Sequence, residues 1–160
     1  MKIVCNTSPL ILLAKIDRLD ILIRLYREPM IPTAVEDELS EKPGQENDQV
    51  KAFLKEGKLQ LRRVSEKILA RIPVDLGRGE REAIALALGV KADLVILDDQ
   101  GGRLVARDKG LSVTGTIGVL IEAKERGFIP FLRPEIDRLI EARMWVSEVF
   151  YHRILKEYGE

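Results

Sequence analysis

The stretch Asp93-Leu94-Val95-Ile96-Leu97-Asp98-Asp99 decides the fold class, because it joins a continuous apolar run to a pair of carboxylates. Four successive apolar residues without polar alternation are typical of a strand that is buried on both faces of a parallel sheet. The alanine-rich segment from Glu80 to Leu88 precedes this strand and has high helix propensity. A helix that leads into such a strand is a repeating unit of α/β proteins.

The same alternation extends in both directions from this stretch. Other short runs of strand character begin at Ile3, Pro29, Leu59 and Leu111. Each is followed by a segment whose apolar residues have helical spacing. We therefore predict an α/β fold of three layers, in which a central parallel sheet of about four to five strands is flanked by helices.

We expect residues 1–160 to form a single domain, because the length suits one domain and no shift in composition marks a boundary. Two helical patterns near the C-terminus predict a helical pair over about residues 133–158. The polar segment from Lys42 to Asp48 contains a proline and a glycine, and we predict a mobile loop there.

The composition narrows the functional classes. The chain has 26 basic and 26 acidic residues, so its formal net charge is zero and any contact with nucleic acid should be local. With one cysteine, Cys5, and one histidine, His152, an internal disulfide and Cys- or His-rich zinc sites are excluded. Glycine-rich nucleotide-binding motifs are absent. No apolar run approaches the roughly 18 residues of a membrane span, so we expect a cytoplasmic protein without a membrane partner.

Polar side chains follow the two strands that matter most for function. In open parallel sheets, ligands bind beyond the carboxyl ends of the strands, at the point where the strand order reverses. The first strand ends at Asn6, and the most apolar strand ends at Asp98 and Asp99. If these strands are neighbours, the three side chains meet at one edge of the sheet. The alternative roles are a helix cap for Asn6 and a turn for the two aspartates.

Three glutamates are candidates to join this edge. Glu38 belongs to the helix after the second strand, and Glu80 and Glu82 open the helix before the apolar strand. Two positions along a helix correspond to about 200° of rotation, so Glu80 and Glu82 cannot both point into one site. Clustered carboxylates are reasonable where a hard cation such as Mg²⁺ or Mn²⁺ binds between them. Otherwise, Glu38 is a surface residue, and the other two favour a helix N-terminus through their charge.

Several segments, taken in order, carry a resemblance to a known family. They are Ile3–Ile11, Ile31–Leu39, Gly79–Ala87, Leu94–Asp99 and the tail from Val113 to Pro130. Together they resemble PIN domains, and in particular a small prokaryotic subfamily close to the VapC-type toxin ribonucleases. The match runs over nearly the whole chain.

The resemblance implies a metal-dependent endoribonuclease, a cofactor of Mg²⁺ or Mn²⁺, an RNA substrate, and a possible antitoxin protein and a second copy of the chain as partners. By motif position, the metal ligands correspond to Asn6, Glu38, Glu82 or Glu80, and Asp99 or Asp98. Ser8 and Thr116 correspond to supporting positions. Candidates for phosphate contact are Arg78, Arg81, Arg103 and Arg107.

Asn6 departs from the family pattern, which has an aspartate at this position. An amide oxygen can coordinate a metal but brings no negative charge, so cation binding should be weaker. This feature favours a second hypothesis, a catalytically weak PIN-fold protein that binds RNA or a protein partner. A phosphoacceptor domain is a third and weaker hypothesis, because such domains carry their acids after the first strand.

Overall fold

The computed structural model describes residues 1–160, in which five strands alternate with helices. The strands are β1 (Ile3–Cys5), β2 (Met30–Pro32), β3 (Gln60–Arg62), β4 (Leu94–Ile96) and β5 (Val113–Thr114). The first five helices are α1 (Thr7–Lys15), α2 (Leu19–Tyr26), α3 (Thr33–Glu41), α4 (Gln45–Lys55) and α5 (Glu66–Leu69). The remaining five are α6 (Arg78–Val90), α7 (Gln100–Asp108), α8 (Thr116–Glu125), α9 (Arg133–Glu141) and α10 (Glu148–Glu157).

All five strands are parallel and lie in the order β3-β2-β1-β4-β5. From β1, the chain builds the sheet outward through β2 and β3 on one side, and then through β4 and β5 on the other. The order therefore reverses between β1 and β4, which are direct neighbours. This confirms the predicted α/β fold and places the carboxyl ends of the two decisive strands side by side.

The sheet is covered on both faces, as its apolar strands require. Ile3 and Cys5 of β1 pack into a larger core with α1, α2, α8, α9 and α10. Val4, between them, points to the opposite face and packs with α6 and α7. The alternation of side chains along a strand thus divides the core into two layers and produces the three-layer architecture.

The predicted mobile loop from Lys42 to Asp48 is wrong over most of its length. Helix α4 begins at Gln45, and Asn47 is buried, where its side-chain amide donates to the carbonyl oxygens of Leu39 and Lys42. These bonds connect the end of α3 to the start of α4. Acidic residues in the first turn of α4 also favour its N-terminus.

No helix has the length and apolar character that crossing a bilayer requires.

The helical pair predicted near the C-terminus corresponds to α9 and α10.

Helix α9 is attached to the rest of the fold through Glu135, whose carboxylate is buried. Arg18, just before α2, donates to it through Nε and Nη2 over 3.1 and 2.8 Å. Arg138 forms a second ion pair with Glu135 over 2.7 Å. These bonds hold α9 beside the α1–α2 connection, and therefore position the turn that follows α9.

We predict that Glu135→Gln lowers the free energy of unfolding by about 2 kcal/mol, because a hydrogen bond to a charged group contributes roughly 1.5–3 kcal/mol. The loss is moderated because the side chains of Arg18 and Arg138 are 34% and 42% exposed and can be rehydrated. Chemical denaturation measures the change. The control is Glu56→Gln, which removes an exposed pair with Lys58 and should cost less than about 0.5 kcal/mol. Equal effects of the two variants would contradict the role of Glu135.

Candidate active site

A cleft of about 890 Å³ opens at the carboxyl ends of β1 and β4. Six of the predicted site residues line it: Asn6, Ser8, Glu38, Glu80, Asp98 and Asp99. They come from four separate parts of the chain, namely the segments that follow β1 and β4, helix α3 and the first turn of helix α6. The pairing of β1 with β4 therefore brings the predicted polar residues together.

Asn6 is polar but only 3% exposed. Its backbone N–H donates to the carbonyl oxygen of Ile96 over 3.0 Å, which continues the pairing of β1 with β4 by one residue. Its side-chain Nδ2 donates to Oε1 of Glu80 over 3.4 Å, and its Oδ1 is buried without a hydrogen-bond partner. The side chain makes no capping bond to α1, so the alternative role as a helix cap is not found. An unpaired buried oxygen at the bottom of a cleft requires an explanation.

Gly79 provides the space in which Glu38 approaches Asn6. A Cβ atom at Gly79 would lie 3.0 Å from Oδ1 of Asn6 and would collide with Oε1 of Glu38. The carboxylate of Glu38 and the amide oxygen of Asn6 therefore flank the same small volume above α6. Only a glycine leaves this volume open.

Glu80 and Glu82 have different positions, as their helical spacing predicts. Oε1 of Glu82 accepts hydrogen bonds from the backbone N–H of Ala34 and the hydroxyl of Thr33, over 3.0 and 3.1 Å. Its Oε2 accepts from Nε of Arg78 over 3.2 Å. Glu82 thus joins α6 to the start of α3 and does not line the cleft, whereas Glu80 does.

Asp98 and Asp99 are each held by the N-terminus of a helix. Asp98 accepts from the backbone N–H and the hydroxyl of Thr116, over 2.8 and 2.6 Å, at the start of α8. Asp99 caps α7 by accepting from the N–H of Gly102 over 2.7 Å through Oδ2. A Cβ at Gly102 would lie 3.4 Å from that oxygen and 3.5 Å from Cγ of Glu80, so this glycine lets α6 and α7 approach closely.

The acids do not converge into a group of three that could hold a metal by themselves. Both oxygens of Asp98 are occupied by Thr116, which limits what this carboxylate can offer. Cys5, beside Asn6, does not extend the set: burial, and then the charge of Asp98, raise the pKa of its thiol well above the ordinary value. The thiol therefore stays neutral and is not a candidate metal ligand.

The four arginines predicted to contact phosphate do not line the cleft. Arg78 forms ion pairs with Asp37 and Glu82, and Arg81 donates to the carbonyl oxygen of Leu69. Arg103 is partly buried, and this burial, followed by the charge of Arg107, lowers its pKa. The cations that line the cleft are instead Lys15, Lys42 and Arg143.

Sequence reasoning missed three further features of the cleft. Thr7 lies in its wall, where Oγ1 is buried without a hydrogen-bond partner, and Ser8 follows it with an exposed side chain. Gly79 leaves open the space between Glu38 and Asn6. Trp145, in the turn between α9 and α10, also lines the cleft. The available signals were a glycine directly before Glu80 and a lone tryptophan in a short interhelical segment.

Comparison with known proteins agrees with this geometry. A family model described as a PIN domain matches residues 2–160, which is nearly the whole chain. No curated protein sequence matches. PIN domains are usually nucleases, bind nucleic acids and generally use divalent metal ions. By the extent of the match, this chain belongs to the PIN-domain family.

Proposed function

We propose that this protein is a metal-dependent endoribonuclease that hydrolyses phosphodiester bonds of RNA in the cleft at the ends of β1 and β4. The observation that carries the proposal is the buried, unpaired Oδ1 of Asn6 beside the carboxylate of Glu38. A buried oxygen without a hydrogen-bond donor is stabilised by a cation. The space that Gly79 leaves open is where such a cation would fit.

Asn6 and Glu38 would hold Mg²⁺ or Mn²⁺ directly, and Glu80 and Asp99, which line the same cleft, would add negative charge without completing a group of three acids around the ion. We choose Glu80 over Glu82 because Glu82 is already bonded to α3 and Arg78. Oxygen ligands suit both metals, and Mg²⁺ is commonly bound by one or two carboxylates together with substrate phosphates. The lack of a three-acid group therefore fits a site that is completed by RNA. The chemistry supplied by a bound divalent cation is Lewis acidity, which makes water more acidic and stabilises phosphate charge.

The chain's own groups would orient the phosphodiester. Helix α1 begins in the cleft wall, and its N-terminal N–H groups favour an anion. The hydroxyls of Thr7 and Ser8 in the same turn are donors for phosphate oxygens. Asp98, held by Thr116, keeps the N-terminus of α8 and the end of β4 in fixed register. RNA would therefore be positioned by rigid elements rather than by loops.

The resemblance to VapC-type toxins supports a narrower proposal, that the protein is the toxin of a toxin–antitoxin pair and acts as a homodimer. A short neighbouring reading frame whose product relieves growth arrest would support the toxin role. Sedimentation measures whether the protein is a homodimer.

A second candidate function is RNA or protein binding with little catalysis. Two observations favour it: Asn6 brings no charge to the site, and the acids do not form a group of three. The two proposed functions lead to different expected results for the variants described below.

We predict that Gly79→Ala reduces Mn²⁺ affinity roughly tenfold or more, as changes around metal ligands commonly do. The added methyl group fills the space between Asn6 and Glu38 while every ligand remains present. Stability should not fall, because alanine is favoured over glycine within a helix by about 1 kcal/mol. Mn²⁺ titration measures the affinity for the metal, and cleavage of a labelled single-stranded RNA in Mn²⁺ measures the activity.

The matched control is Gly89→Ala near the other end of α6, where a Cβ meets only the flexible Cδ1 of Ile68, at 3.3 Å. This variant should bind Mn²⁺ and cleave RNA as the wild type does. If Gly79→Ala retains both Mn²⁺ binding and RNA cleavage, the metal site is elsewhere. If the wild type does not cleave RNA in Mn²⁺, the nuclease proposal is wrong.

We predict that Asn6→Asp makes stability depend on a divalent cation. Without metal, the variant loses the hydrogen bond to Glu80 and gains a like charge beside it, which should cost about 1–2 kcal/mol. Mn²⁺ should restore the loss, because the new carboxylate adds charge to the site. Thermal unfolding in EDTA and in Mn²⁺ measures both states.

Cleavage by Asn6→Asp but not by the wild type would favour the second candidate function, because the amide would then be what limits catalysis. An equal response of both proteins to Mn²⁺ would contradict the placement of the cation at residue 6.

A further inference from the structure

We propose that single-stranded RNA leaves the cleft over the turn between α9 and α10, where Trp145 stacks on a base and Arg143 and Lys15 contact phosphates. The inference rests on the proposed function, because it takes RNA as the substrate. It concerns a wall of the cleft that contains none of the proposed metal ligands. We call residues 142–145 the exit turn.

Trp145 is the only tryptophan of the chain and is 84% exposed. It lines the cleft, on the wall formed by the exit turn. Because the Trp145 ring is exposed to water, its burial does not stabilise the fold, and packing does not explain a tryptophan at this position. Exposed aromatic rings beside a cationic groove are the usual means of holding single-stranded nucleic acid, because every base has a face on which to stack.

The charge distribution agrees with this path. The cleft is lined by three cations, Lys15, Lys42 and Arg143, as well as by the acids. Lys15 and Arg143 line both this cleft and an adjoining hollow of about 460 Å³, whose wall also contains Arg138. Neither Lys15 nor Arg143 forms an ion pair within the chain. Unpaired cations that line both the cleft and the adjoining hollow would bind phosphates of RNA that passes from one to the other.

The backbone at Arg143 gives a second, independent indication. Arg143 has φ of 73°, a conformation that favours glycine. Its N–H donates to the carbonyl of Ile140 over 2.9 Å, and that of Met144 donates to Leu139 over 3.0 Å, which closes the end of α9. Helices commonly place glycine at this position. An arginine here costs stability, and its side chain makes no bond within the protein that would offset the cost.

Lys91 provides a matched control for this strain. It ends α6 with φ of 55° and the same pattern of bonds, from Lys91 to Leu88 and from Ala92 to Ala87. It precedes β4 and therefore lies at the opposite edge of the sheet from the cleft. Replacing either cation with glycine should relieve similar strain, but only Arg143 should affect RNA.

The experiment measures binding of a short, dye-labelled phosphorothioate RNA, which resists hydrolysis, by fluorescence anisotropy in Mg²⁺, so that variants without Trp145 can be measured as well. In the wild type, RNA should also quench the emission of the single tryptophan. Trp145→Ala should weaken binding roughly tenfold or more, and Trp145→Phe should retain most of the affinity. Arg143→Gly and Lys91→Gly should each raise the melting temperature by about 2 °C. Of these two variants, only Arg143→Gly should also weaken RNA binding. It should reduce the slope of log affinity against log salt concentration by about 0.7.

Three outcomes would overturn the inference. If RNA is cleaved but Trp145→Ala binds it as the wild type does, the exit turn is not on the path and the proposed function stands. If Trp145→Ala changes the oligomeric state and leaves RNA affinity unaltered, the exit turn is a contact between copies. If neither the wild type nor any variant binds or cleaves RNA, the proposed function fails as well.

Discussion

The parallel pairing of β1 with β4 is the constraint on which the cleft depends. Ile3 lies opposite Leu94 and Cys5 opposite Ile96, and the N–H of Asn6 extends this pairing by one bond. Because side chains alternate along a strand, a slip of one residue would turn Asn6 toward the opposite face of the sheet. The apolar residues of both strands prevent the slip, since each must remain in its own layer of the core. The register that buries the core is thus the register that places the polar residues at one edge.

Crowding of acids at this edge has an electrostatic cost, and the fold reduces it in several ways. Asp98 and Asp99 lie at the N-termini of α8 and α7, where negative charge is favoured. Glu82 is paired with Arg78 outside the cleft. Asn6 contributes an oxygen without a charge and donates a hydrogen bond to Glu80. An amide at this position therefore reduces the repulsion among the acids of the cleft.

The parts of the fold that depend on local pattern were predictable from the sequence. The apolar run before Asp98 indicated a buried parallel strand, and the two-residue spacing of Glu80 and Glu82 indicated opposite directions. The sequence does not indicate whether Glu80 or Glu82 lines the cleft, because this depends on where α3 begins relative to α6. The role of Asn47 was missed for a similar reason: its hydrogen bonds reach across a turn that composition alone marks as polar. The place of Arg143 in the cleft depends on the bond between Arg18 and Glu135 of α9, which leaves no periodic signal in the sequence.

We propose that the amide of Asn6 and the carboxylate of Glu38 share a divalent cation above Gly79. Anomalous diffraction from a crystal soaked in Mn²⁺ tests this placement, because the signal locates the metal without reference to activity. We expect a Mn²⁺ peak within coordination distance of Oδ1 of Asn6 and of a carboxylate oxygen of Glu38. A crystal without a peak in the cleft, or with a peak bound to Glu82 at the start of α3, would contradict it.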